Sequence, residues 1–192
     1  DDDDQDEFKE GKVPMSPALF WKVCMWLLQW GTIEGIFGAL FIALTWNLVC
    51  RGNNTAKIRF SHLTWTTFNA MKVNFKHTKT QQHGEAKRQK RAVFSNPFEY
   101  YINIPFLLGL YLACSFSDKQ SQGRKLFPGF SKSQSEHANV ILKRVLKEHE
   151  QAVLSMDYDT LDDIYSHSCR KGASSQLASL PGGPPSAALC LR

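Results

Sequence analysis

Arg51, Lys79, His167 and Arg170 are the side chains whose types and spacing could do chemistry. Two guanidiniums, an ammonium and an imidazole can together hold an anion and move a proton. Each also has a plainer reading. Arg51 closes an apolar helical stretch, where a cation ordinarily interacts with the last carbonyls. Lys79 falls in the turn of a predicted hairpin, an ordinary place for a surface lysine. His167 and Arg170 stand at i and i+3 and share a helix face, which a solvated or locally paired face would equally explain. Lys87-Arg88-Gln89-Lys90-Arg91 reads either as a nuclear localisation patch or as the outside of a hairpin. Gly182-Gly183 is a turn and not a phosphate loop, because the strand and helix that must flank such a loop are missing.

The charge pattern narrows the partner. The 192 residues carry 23 Lys+Arg against 18 Asp+Glu, a net +5. Residues 1–10 hold seven of the acids (Asp1 to Asp4, Asp6, Glu7, Glu10) against Lys9, so the rest of the chain carries +11. Between Arg51 and Arg91 ten bases face one acid, Glu85. That density fits a surface turned toward a polyanion, or else a solvated basic face. A composition of 43% hydrophobic and 21% charged residues excludes wholesale disorder and collagen-like architecture. The five cysteines form no CxxC pair and no close Cys/His ligand spacing, so neither a disulfide framework nor a zinc site is expected, and a reducing compartment is the simpler setting.

These residues need helices and one small sheet to position them. Ser16-Pro17 is an N-cap followed by proline at the first helical position, and Ala18 to Trp30 has apolar residues at helical spacing up to Gly31. Thr32 can cap a second helix, Ile33 to Cys50, apolar nearly all round and therefore central. Three short antiparallel strands are expected: about Phe60 to Trp65, the alternating Met71-Lys72-Val73-Asn74-Phe75-Lys76, and Arg91 to Ser95. Helices return at Phe106 to Phe116, at Gln134 to Met156, from near His167 to Ser179, and from Ser186. The expected class is mainly α with a small three-stranded antiparallel β-sheet. Residues 1–13 read as an acidic, disordered lead-in to one domain over 14–192. The acidic N-terminus lacks the apolar region of a signal peptide. Ile33 to Cys50, interrupted by Glu34 and Asn47, and the 15-residue Ile102 to Phe116 read as buried helices; a membrane-associated helical protein built on them is the rival reading.

The longer motifs are Leu44-Thr45-Trp46-Asn47-Leu48-Val49-Cys50-Arg51 with Asn53-Asn54, His77-Thr78-Lys79-Thr80 with Gly84, Asn96-Pro97, and Leu126-Phe127-Pro128-Gly129. They are followed by His167-Ser168-Cys169-Arg170-Lys171-Gly172-Ala173 and Pro181-Gly182-Gly183-Pro184-Pro185. In these the chain resembles the catalytic domain of tyrosine recombinases, most closely the recombinases of Crypton-type DNA transposons, over about Val13 to Arg192. The resemblance implies the integrase-like catalytic fold and a chain that binds double-stranded DNA in the nucleus, without membrane, metal or cofactor, and forms a synaptic tetramer in the full-length protein. Arg51 and Arg170 would clamp the non-bridging oxygens of the scissile phosphate, whose equatorial charge grows in the transition state. Lys79 would protonate the leaving 5′ oxygen, and His167 would bind the same phosphate and assist proton transfer. Lys57, Arg59, Lys76, Lys87, Arg88, Lys90, Arg91 and Lys171 would contact DNA.

The family's covalent step uses a tyrosine after the His-x-x-Arg, forming a 3′-phosphotyrosyl bond. Here the tyrosines stand at 100, 101, 111, 158 and 165, and neither a Tyr nor the His or Trp expected shortly before it follows Arg170. Asn54 stands where many members carry an acid. The sequence is therefore expected to be a fragment, incomplete at the C-terminus and without the N-terminal arm domain, that does not cleave DNA alone. The alternative is a non-catalytic DNA-binding remnant or domesticated module.

Overall fold

A computed structural model describes residues 13–66, 69–75, 89–115, 124–128 and 134–183. Lys76, Lys79, Lys87 and Arg88, and the helix expected from Ser186, lie outside the described residues. Helix α1 spans Pro17–Gln29; Ser16 Oγ accepts from the Leu19 amide at 3.2 Å. Helix α2 spans Ile33–Asn47, capped by Thr32 Oγ1 on the Gly35 amide. It is buried on every side from Gly35 to Trp46, which is why its sequence carries no polar face. Helices α1, α4 (Ile104–Ser115), α5 (Gln134–Glu148) and α7 (Ser166–Ser179) pack around it. Phe20 stacks on Trp46 with ring centroids 4.4 Å apart, joining α1 to the last turn of α2.

The sheet has the order β1 (Leu63–Trp65), β2 (Ala70–Phe75), β3 (Gln89–Phe94), antiparallel throughout, with Val73 opposite Leu63 and Arg91. Met71, Val73 and Val93 face the core, while Thr64, Lys72, Lys90 and Ala92 are exposed. The mainly helical class with its three-stranded sheet is as expected. No helix among the described residues is long and apolar enough to cross a membrane.

Three boundaries differ most from the sequence reading. Phe60–His62 forms a 3-10 turn, so the first strand starts at Leu63. The long helix expected over Gln134 to Met156 is broken at His149, whose backbone leaves the helical region (φ −118°, ψ 28°) and whose ring stacks on Trp26 at 4.1 Å; a short helix α6, Glu150–Leu154, follows. Helix α2 ends at Asn47, three residues early. Val49 adopts φ 47°, and the amides of Val49 and Cys50 fold back onto the carbonyls of Trp46 and Thr45 at 3.0 and 3.2 Å. This paired closure usually takes glycine at its left-handed position, and the sequence offers valine.

Candidate functional site

That closure aims the chain. After it, Arg51 is extended and becomes the first residue before α3 (Gly52–Ala56). A buried network clamps α3 to α2: Thr55 Oγ1 lies 2.9 Å from Thr45 Oγ1 and 3.1 Å from Cys50 Sγ, and Thr45 also donates to the Phe41 carbonyl. Gly52 sits against the start of α5 and of α7. A Cβ there would lie 2.5 Å from Ser135 Oγ and 2.9 Å from Ser166 Oγ, so any larger residue forces these serines to shift, and glycine lets the turn after Arg51 seat against the residue before His167. Ser166 is held in turn by its amide donating to Asn139 Oδ1 at 2.9 Å.

Helix α7 carries the other half. Ser168 and Cys169 are buried, His167 is exposed, and Arg170 and Lys171 are half-buried. At 3.6 residues per turn His167, Arg170 and Lys171 share one side of the helix. Partial burial, then the charges of Arg170, Lys171 and Arg51, hold the His167 imidazole below its ordinary value of 6.5, so near neutral pH the ring is largely uncharged. The Cys50 thiol is pushed up by burial, against the opposing pull of Thr55, Arg91 and Arg170. Arg51, His167 and Arg170 therefore share one electrostatic neighbourhood, although well over half the chain separates Arg51 from the other two. Lys79 falls outside the described residues.

Arg51 is exposed and makes no side-chain cap at α3. The cation on the α2 carbonyls is Arg91, from strand β3: its Nη1 donates to the Leu48 carbonyl and, at 3.4 Å, to that of Val49. Arg91 was expected on the DNA-facing surface, but it is 9% exposed and turned into the fold. The physical reason is its register opposite Val73, on the core side of the sheet. Lys57, Arg59 and Lys90 are exposed. Two further cations join them that sequence spacing does not connect. Lys125 pairs with Arg59 through a backbone bridge, and Lys72 lies on the outer face of the sheet with Lys90. No local pattern links Lys125 to Arg59; the backbone pairing of 58–60 with 124–126 makes the connection. No group of acidic, histidine or cysteine residues suited to a metal occurs among the described residues.

This architecture recurs in solved structures of the XerH site-specific recombinase on its difH substrate. The post-cleavage complex on palindromic difH aligns with a TM-score of 0.61 at 12% identity, over 88% of this chain and 43% of that one. The chain has the tyrosine-recombinase catalytic-domain fold. The pre-cleavage XerH complex aligns similarly, with a TM-score of 0.58 at 14% identity over 87% of this chain and 43% of the other. The chain thus spans less than half the length of these tyrosine recombinases. No protein-family model and no curated protein sequence matches it.

Proposed function

We propose that this chain binds the phosphate backbone of duplex DNA as the catalytic domain of a tyrosine recombinase of the Crypton-like kind, acting in DNA integration or excision. The observation that carries the reading is the meeting of Arg51 with His167, Arg170 and Lys171 on a recombinase fold. Two arginine forks acting on the same neighbourhood are the chemistry that a phosphodiester's two non-bridging oxygens call for. A largely neutral His167 can accept a proton or donate a hydrogen bond beside them. Lys79 is assigned the general-acid role and Lys57, Arg59, Lys90 and Lys171 backbone contacts, joined by Lys72 and Lys125; Lys76, Lys87 and Arg88 extend the surface on sequence grounds. Lys87, Arg88 and Lys90, without the enclosed Arg91, are also assigned to a nuclear localisation patch on sequence grounds.

Strand cleavage under this proposal requires a tyrosine placed after the His-x-x-Arg, supplied by further sequence or by another protomer of a synaptic assembly. No tyrosine follows Arg170. Among those before it, Tyr158 spends its hydroxyl on the Ser16 amide and the Pro14 carbonyl, and Tyr111 is buried against Phe37 and Phe127. The Tyr165 ring lies under Lys143 Nζ at 4.2 Å. The same observation supports a second reading, a module that keeps DNA binding and does not cleave.

Fluorescence anisotropy on a short duplex across a salt series tests the proposal. Binding should weaken steeply with salt, and Arg51→Ala and Arg170→Ala should each reduce the slope of log affinity against log salt by about one. Absence of binding at low salt, or binding indifferent to salt, would sink it. Addition of a phosphotyrosyl-trapping nicked substrate then separates the two readings: a covalent adduct formed only with a tyrosine-bearing longer chain favours the recombinase, and none with any chain favours the binding module.

A further inference from the structure

The outer face of the sheet is built differently from the phosphate site. Residues paired across antiparallel strands point to the same side, so the pairings of Thr64 with Lys72, Lys72 with Ala92, Asn74 with Lys90 and Ala70 with Phe94 gather Lys72, Lys90 and Phe94 on one face. Met71, Val73 and Val93 occupy the reverse side, in the core. Lys72 stands diagonal to both Lys90 and Phe94, at the roughly 7–8 Å of such neighbours. No residue that the register places on this outer face is acidic.

Phe94, the last residue of β3, is 69% exposed. Its neighbours on that face are two methyl groups, Ala70 directly across and Ala92 two residues back on its own strand, and neither is large enough to cover a ring. The backbone beyond Phe94 is fixed. The Ser95 amide donates to the Asn69 carbonyl at 3.0 Å, and Asn103 Nδ2 donates to Ser95 Oγ at 3.2 Å. Asn96 Oδ1 accepts from the amides of Phe98 and Glu99 at 3.1 and 3.3 Å. This held turn presents a second ring, Phe98, which is 92% exposed. Two phenylalanines thus stand in water on a firm frame, without the stabilisation that burial would give them.

Rings and ammonium groups interleaved on a face without carboxylates fit one partner chemistry. A duplex keeps the flat faces of its bases inside its own stack, whereas an unpaired base offers its face to any aromatic side chain. Protein interfaces centre on a buried apolar core and are depleted in lysine, the opposite of a ring flanked by Lys72 and Lys90. We propose that this outer face binds unpaired DNA strand, with a base stacked on Phe94, Phe98 continuing the path, and phosphates on Lys72 and Lys90. This rests on the DNA-binding reading of the chain and names the form of DNA that this face takes. The lysines supply attraction that salt weakens, and the rings supply the preference for unpaired over paired bases.

The test is fluorescence anisotropy of the full 192-residue chain on an oligo-deoxythymidine of about ten nucleotides and on a blunt duplex of the same length. Phe94→Leu keeps an apolar side chain and removes the flat ring. It should weaken oligonucleotide binding about tenfold with the salt slope unchanged, and leave duplex binding within about twofold. Phe94→Trp should hold or exceed the original affinity. Lys72→Ala and Lys90→Ala should instead each reduce the oligonucleotide salt slope by about 0.7. Unchanged oligonucleotide binding in Phe94→Leu, or an equal loss on both DNAs, overturns the proposal. So does sedimentation in which Phe94→Leu abolishes self-association while the oligonucleotide binds as before, since the face then belongs to a second copy of the chain. Duplex binding that depends on Arg51 and Arg170, with no oligonucleotide binding, removes this proposal alone. Oligonucleotide binding that depends on Phe94, in a chain that never binds duplex, leaves this face standing and removes the duplex reading instead.

Discussion

Replacing Arg91 by alanine separates a structural cation from a DNA contact. The guanidinium donates to two carbonyls at the end of α2, Leu48 and Val49, and is almost wholly enclosed. Hydrogen bonds from a charged donor contribute about 1.5–3 kcal/mol, and a cation at a partly buried helix C-terminus up to ~2 kcal/mol; these overlap, so a loss of about 3 kcal/mol is expected. With a urea m-value of about 2 kcal/mol/M, the unfolding midpoint should fall by ~1.5 M. Arg91→Lys keeps the charge but not the fork and should lose roughly half as much. The assay is equilibrium unfolding by tryptophan fluorescence, beside DNA anisotropy on the same samples below the transition. A midpoint shift under about 0.3 M, with the DNA salt slope reduced by about one, would place Arg91 on the phosphate face and refute the assignment.

Three other outcomes follow from the site. Gly52→Ala should cost about 1–3 kcal/mol through overpacking and weaken DNA binding by displacing Arg51; Ser135→Ala, which removes the nearest atom, should restore part of both, as unfolding and anisotropy on the single and double variants will report. In an NMR titration His167 should protonate below 6.5, and Arg170→Gln should move it upward. Its folded value is depressed, so the unfolded chain binds that proton first. Stability should fall as pH drops below about 6.5, a slope that His167→Gln flattens. Cys24, Cys50 and Cys169 are buried with their thiols pushed up, Cys169 to about 12, whereas Cys114 is exposed. In a Cys190→Ser background a thiol reagent should therefore modify Cys114 rapidly and the three buried thiols only at the rate of unfolding.

The periodicity of residues 17–47 and 134–148 revealed their helices because one face, or every face, of each is apolar. Met71 to Phe75 showed the alternation of a half-buried strand. The sequence could not show where α2 stops, because its closure uses valine in a left-handed conformation where Gly or Asn would have marked it. Nor could it tell Arg51 from Arg91 as the capping cation. That choice depends on the strand register opposite Val73, and a one-residue slip would exchange the two sides of the sheet. The His167-x-x-Arg170 spacing was legible as a shared helix face. Its meeting with Arg51 depends on Gly52 lying between two serine hydroxyls, a contact that leaves no pattern along the chain.

The seating of Gly52 against Ser166 also makes the site a product of completed folding. Arg51 and Arg170 are separated by well over half the chain, and their approach is a contact of very high sequence separation, the kind whose loop-closure entropy is met late. A nascent or partly unfolded chain with α7 undocked retains every basic residue but presents scattered charges, able to hold a polyanion loosely and unable to chelate one phosphate. Hydrogen exchange at α7 should therefore set the lifetime of the proposed two-arginine grip: each local opening of that helix separates Arg170 from Arg51 while leaving the central helix intact.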